Sequence, residues 1–168
     1  TANVIGDRGV TMFDIAFDAD GSPLYGVSGT SSLYTIDTST AASSLVGSLG
    51  VFANALAVRA DGTIFAAGGT TLYTVDSGTG AASTVGSMGV GSAGDLEFHN
   101  GTLYLSGSDS RLYSVDTSTG LAADIGAFGI SAPFGLASVD GQLYGISGTS
   151  IYTIDTSDGS ATLFDSFA

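Results

Sequence analysis

The sequence predicts an all-β fold made of four repeated units, each of four short antiparallel strands. Three observations predict it. First, a Leu/Ile-Tyr strand recurs at 33–34, 72–73, 112–113 and 151–152, spaced by 39, 40 and 39 residues. Second, each unit carries a tight-turn pair: Asp20-Gly21, Asp61-Gly62, Asn100-Gly101 and Asp140-Gly141. Such pairs supply the positive φ that hairpin turns need. Third, the chain has 26 Gly, 7 Tyr and 9 Phe among 168 residues, with a single Glu and no Lys. That composition suits short strands and turns, not helices.

Four strand types, a to d, follow one another in every unit. Strand a reads "DIAF" (14–17), "ALAV" (55–58), "DLEF" (95–98) and "GLAS" (135–138). Past the turn, strand b reads "PLYGVS" (23–28), "TIFAAG" (63–68), "TLYLSG" (102–107) and "QLYGIS" (142–147). Strand c is "SLYTID" (32–37), "TLYTVD" (71–76), "RLYSVD" (111–116) and "SIYTID" (150–155). A second turn rich in Ser, Thr and Gly leads into strand d. Four strands at a period of about 40 residues indicate a β-propeller blade. A lone blade cannot bury both faces, and stacking blades around an axis does so. The expectation is a single domain over 1–168, a four-bladed β-propeller. Its blade repeats lie at 10–47, 51–86, 90–126 and 130–165, with an extra d-type strand at 1–9. A β-solenoid is the competitor, but its repeats are shorter and its strands parallel.

The stretch "LYTVDSGTGAASTVG" (72–86) resembles the repeats of quinoprotein, NHL and YVTN propellers, and most of all propeller-repeat proteins secreted by bacteria. The likeness spans nearly the whole chain, but at the level of the repeat. It implies a fold and an extracellular or cell-surface location, not an activity. Quinoprotein blades carry a Trp shortly after the Thr-Gly. This chain has no Trp, so the resemblance does not extend to a quinone cofactor.

Charge narrows the function classes. With 16 acidic residues against 3 Arg, the net charge is −13. Phosphate backbones need a basic surface, so nucleic acid is excluded, and anionic membrane surfaces with it. No apolar run is long enough to span a bilayer. The chain contains no Cys, so disulfides say nothing of its compartment. A start at Thr1 without Met fits a mature secreted product or a trimmed chain equally well.

Strand d is written five times. It appears as "NVIGDRGV" (3–10), "SLVGSLGV" (44–51), "STVGSMGV" (83–90), "ADIGAFGI" (123–130) and "TLFDSFA" (162–168). Four blades need four. Either residues 3–6 or residues 162–165 complete blade four, and one copy is spare. It frays, or the chain is part of a longer array, or the spare strand adds to the blade of a neighbouring molecule. The last makes a homo-oligomer or, through a head-to-tail contact that does not close, a filament.

Candidate chemistry is sparse. Asp14 and Asp95 hold the same place on strand a of blades one and three, which face each other across the axis. They are expected to converge on Ca²⁺ or another hard cation, or else to accept backbone N–H bonds. Small hemopexin-like propellers hold ions in this way. Asp95, Glu97 and His99 share one strand face, but no second His or Cys completes a transition-metal set. Glu97 replaces the Ala of the other three blades and needs a partner if buried. Asp37, Asp76, Asp116 and Asp155 recur once per blade, as expected of turn-forming carboxylates.

The apolar d–a loop residues Leu49, Phe52, Met88, Phe128 and Phe134 form either a contact face or inter-blade packing. Val4, Ile5, Leu163 and Phe164 are the apolar side chains of the terminal strands. Asn100 opens an N-glycosylation sequon on a turn. No catalytic residue is assigned, because no nucleophile-and-base constellation is recognisable. The functional expectation is a secreted, non-enzymatic propeller acting by self-assembly or surface contact. An extracellular glycan- or protein-binding module is the alternative, and an enzyme using a channel cation ranks behind both.

Overall fold

The computed structural model describes residues 4–18, 20–131 and 133–167. Sixteen strands form four antiparallel sheets in chain order, arranged around a common axis as a four-bladed β-propeller. Blade one holds β1 (Met12–Phe17), β2 (Leu24–Ser28), β3 (Ser32–Ile36) and β4 (Ser43–Ser48). Blade two holds β5 (Ala55–Val58), β6 (Ile64–Gly68), β7 (Thr71–Val75) and β8 (Ala82–Ser87). Blade three holds β9 (Ser92–His99), β10 (Thr102–Gly107), β11 (Arg111–Val115) and β12 (Ala122–Ala127). Blade four holds β13 (Gly135–Val139), β14 (Gln142–Ser147), β15 (Ser150–Ile154) and β16 (Ala161–Ser166). The sequence repeats map onto these blades one for one.

Turn chemistry sets the hairpins. In blades three and four, Asn100-Gly101 and Asp140-Gly141 take positive φ at both residues, as a two-residue turn of matching twist requires. The aspartate ending each strand c caps the next turn. Asp116 Oδ1, for example, accepts the N–H groups of Ser118 (2.8 Å) and Thr119 (3.0 Å) and the Ser118 hydroxyl (2.6 Å). These bonds hold the Asp116 carboxyl down at about 2, and lower Asp37, Asp76 and Asp155 for the same reason. They are the local turn groups that the sequence suggests.

The blades stack through three buried apolar clusters. Tyr25, Val27 and Leu33 of blade one meet Leu56, Ile64 and Ala66 of blade two. Phe65 and Ala67 of blade two meet Leu96, Leu103 and Leu105 of blade three, with Phe65 edge-on to Phe98 at 5.7 Å. Tyr104 and Leu112 of blade three meet Leu136, Leu143 and Ile154 of blade four. Among the described residues, no such cluster joins blade four to blade one.

Two details repeat at every sealed junction. A bulge in each strand d sets one extra residue against strand c, between the partners of Leu33/Tyr34, Leu72/Tyr73 and Leu112/Tyr113. The glycine beside it then lies flat against the c–d turn of the following blade: Gly47 on the Thr79 carbonyl, Gly86 on Thr119, Gly126 on Asp158. A Cβ at any of these glycines would fall inside the carbonyl oxygen. In addition, Leu49, Met88 and Phe128 offer their carbonyls to Ala82, Ala122 and Ala161 of the next blade at 3.0–3.3 Å.

Two expectations are corrected here. Leu49, Met88 and Phe128 are not surface residues: each is at most 2% exposed, an apolar plug between blades. Of the five apolar d–a loop residues named, Phe52 and Phe134 are exposed. The expected extra strand over 1–9 is no strand at residues 4–9, which run without a ladder partner, and residues 1–3 lie outside the described set. Blade four is completed by β16 instead.

Candidate functional site

Two features stand out: a group of acids along the axis, and the faces of blades one and four that remain uncovered.

The acids sit on the innermost strands. Strand β1 places Asp14 at its third residue, and β9 places Asp95 at the equivalent position two blades on. Asp14 accepts the N–H of Leu56 on blade two through Oδ2 (2.7 Å) and of Ile15 through Oδ1 (2.8 Å). Asp95 accepts the N–H of Leu136 on blade four. The two carboxyls also hydrogen-bond to each other. Burial pushes Asp14 up to about 7. It pushes Asp95, which is 4% exposed, well above the usual range, and the neighbouring Asp14 charge adds to this. Burial and their mutual repulsion thus favour the protonated form of the pair. The pair does converge, as its matching strand positions suggest.

What the pair binds in this geometry is backbone N–H. Both Asp14 oxygens already accept backbone donors. Among the described residues, no group of three His, Cys, Asp or Glu side chains is placed to hold a metal ion. The donor set thus matches the hydrogen-bonding reading better than a cation cage.

Glu97 finds the partner its burial requires: Oε1 accepts the Ser138 N–H at 3.0 Å. Burial still raises it to about 7. His99 is 5% exposed. Asn100 Nδ2 donates to its Nε2 (3.0 Å), which leaves Nδ1–H to donate to Ser138 Oγ (2.8 Å). The sequon residue Asn100 is exposed at its turn, with its amide engaged on this histidine. Ser138 therefore ties Glu97 and His99 to blade four, a role that its own sequence context does not signal. A signal for the Asp pair was present: Asp14 and Asp95 alternate with Ala55 and Gly135 at the same strand position, small residues that let a carboxylate reach the next backbone N–H.

The uncovered faces are apolar. On blade one, Phe13 (47%), Ile15 (46%) and Phe17 (54%) are exposed, whereas Leu56 and Leu96, which match Ile15, are buried. On blade four, Leu163 and Phe164 are each 61% exposed and Phe167 50%, although Phe167 matches the buried Leu49, Met88 and Phe128. Phe164 touches Tyr144 edge-on at 5.3 Å. Val4 (95%) and Ile5 (64%) of the N-terminal segment are exposed too, as are Leu45, Phe52, Leu121, Phe134 and Val139 elsewhere on the surface. A cleft of about 480 Å³ along the axis is lined by Ile15, Phe17, Val58, Glu97, Leu136 and Val139, so all four blades reach it.

No protein-family model matches the chain, and no curated protein matches it in sequence. Solved structures do. The chain is similar to a protein of unknown function from Bacteroides thetaiotaomicron, with TM-score 0.71 and 17% identity over 89% of this chain and 46% of that one. It is similar to a chain of the nidogen/laminin complex, with TM-score 0.66 and 15% identity over 91% of this chain and 62% of that one. It is also similar to PorZ, an essential surface component of the type-IX secretion system of Porphyromonas gingivalis. There the TM-score is 0.63 and the identity 17%, over 92% of this chain and 21% of that one. These likenesses establish the class by fold: the chain is a β-propeller. The chain spans about half the length, or less, of the first of these and of PorZ. Among the described residues, no helix is long and apolar enough to cross a membrane.

Proposed function

We propose that the protein is a secreted, non-enzymatic surface propeller that works through contact and self-assembly. One observation carries this reading: Ile15 on blade one and Phe167 on blade four are left uncovered at positions where the sealed junctions bury Leu56 and Leu96, and Leu49, Met88 and Phe128. A soluble monomer rarely shows so many large apolar side chains at its ends. The surface role of PorZ, a structural neighbour, supports the location. The test is sedimentation of the 168-residue chain from micromolar to millimolar concentration. Association that grows with concentration is the expected result, and a monomer throughout rejects self-assembly.

A polar cleft of about 340 Å³ favours a second reading, an extracellular glycan-binding module. It is lined by His99, Gln142, Thr153, Asp155, Thr156 and Ser160, a surface of hydroxyl, amide and carboxylate groups suited to sugar hydroxyls. Titration with a panel of soluble oligosaccharides, read by shifts of the Thr153 and Thr156 amides, tests it.

A further inference from the structure

The N-terminal residues 4–10 repeat the glycine contacts of an outer strand, although no strand c pairs with them and Arg8 stands where Leu49, Met88 and Phe128 plug the sealed junctions. Gly6 lies on the Thr40 carbonyl of blade one just as Gly47, Gly86 and Gly126 lie on the turn of the blade after their own. Gly9 has φ +66°, matching Gly50 (+72°), Gly89 (+75°) and Gly129 (+73°). Its N–H is received by Asp7 at 2.9 Å, as those of Gly50 and Gly89 are received by Ser48 and Ser87. The segment is thus held on blade one as the outer strand of a preceding blade.

β16 is the opposite case. It pairs with β15, yet all its residues after Ala161 are exposed. Asp165 stands where Gly47, Gly86 and Gly126 stand. A side chain there excludes the flat approach onto the next blade's turn that the glycines make. So the strand that pairs with β15 cannot dock on blade one in the ordinary way, and the segment that docks on blade one has no strand to pair with. Each half lacks what the other has.

The remaining surfaces agree. Ile15 and Phe17 lie where Leu56/Leu96 and Val58/Phe98 receive the preceding blade. Tyr144 and Ile146 are half-exposed, whereas Tyr25, Phe65 and Tyr104, at the position of Tyr144, are buried against the following blade. The Ser43 hydroxyl, at the position of Ala82 and Ala122, is buried without a hydrogen-bond partner.

We propose that a second copy of the chain fills this junction. Its blade four packs on blade one, and its β15 takes up residues 4–8 as outer strand in place of β16. This rests on the self-assembly reading above and names the surfaces that perform it. The contact is head-to-tail, so it closes as a ring of copies or runs on as a filament. Strand exchange keeps the ladder bonds of β15 constant in number, and the new burial of Ile15, Phe17, Tyr144 and Ile146 drives it.

The chain has no cysteine, which makes a disulfide test clean. In the blade-four register Tyr152 faces Leu163, and Val4 holds the place of Leu163 in the N-terminal segment. A Val4→Cys chain mixed with a Tyr152→Cys chain, then oxidised, should give a disulfide-linked pair of unlike chains, while either alone should not. Ile15→Asp and Gly6→Asp should each weaken association at least tenfold, with the circular dichroism of the fold retained. Either a ring or a filament bearing that disulfide supports the proposal. If the chain associates but no mixed disulfide forms and Ile15→Asp has no effect, this junction is wrong while self-assembly stands. If the chain is monomeric at every concentration, both fail, and the face belongs to a blade from a different source.

Discussion

Burial decides the behaviour of the axial acids, and the sign of its effect can be worked out. Asp14 and Glu97 are raised to about 7, and Asp95 well above its ordinary value. An unfolded carboxyl titrates near 4. A group raised by folding adds stability below the unfolded pKa and loses it as pH climbs through the folded one. The turn aspartates are lowered, so their contribution is present above about pH 4 and lost below it. Thermal unfolding should therefore show the highest Tm at about pH 4–5, falling toward about pH 8. Glu97→Gln should flatten part of that fall, and a Tm independent of pH across this window contradicts the assignment. A hard cation entering the channel has to compete with the Leu56, Ile15 and Leu136 N–H groups that the pair accepts. Calcium should therefore leave Tm unchanged at about pH 5 and at about pH 8, and a rise at about pH 8 would restore the channel cation.

Within each blade, the strands owe little to propensity alone and much to the junctions they make. Phe65 is 1% exposed and spans the junction of blades two and three. Phe65→Ala should cost about 3–5 kcal/mol in urea unfolding. Gly86→Ala should cost about 1–3 kcal/mol without removing a single apolar contact, because the added carbon meets the Thr119 carbonyl. A neutral Gly86→Ala would show that the approach is not tight. The strands, their order and their turns were legible because each rests on short-range pattern: Asp-Gly pairs, alternating apolar positions, a fixed period. Residues 4–9 were misread as a strand for an instructive reason. Their pattern is that of strand d, but a strand needs a partner, and pairing is not a property of the segment itself. Leu49, Met88 and Phe128 were ambiguous for a related reason: an apolar residue in a loop is a plug or a patch according to what stacks beside it. The Asp14–Asp95 contact was legible from matching positions, whereas the roles of Ser138 and the Leu56 and Leu136 N–H groups depend on the angle between blades.

On the scale of the molecule, charge and apolar surface oppose each other. A net charge of −13 on 168 residues makes copies repel, while the uncovered faces of blades one and four attract. Screening weakens the first and leaves the second, so association should strengthen as salt is raised from about 0.01 to about 0.5 M. Association that weakens with salt would mean that ion pairs hold the copies together. The blade order has a further consequence, this time for motion. Blades two and three are clamped on both sides, and blades one and four on one side only. Opening a terminal blade breaks one apolar junction; opening a middle blade breaks two. In hydrogen–deuterium exchange, the amides of β6, β7, β10 and β11 should therefore be the slowest. Those of β1 and β16 should be the fastest, so protection declines from the centre of the chain toward both ends. If a neighbouring copy seals the last junction, that gradient should flatten as the protein is concentrated, and β1 should slow the most.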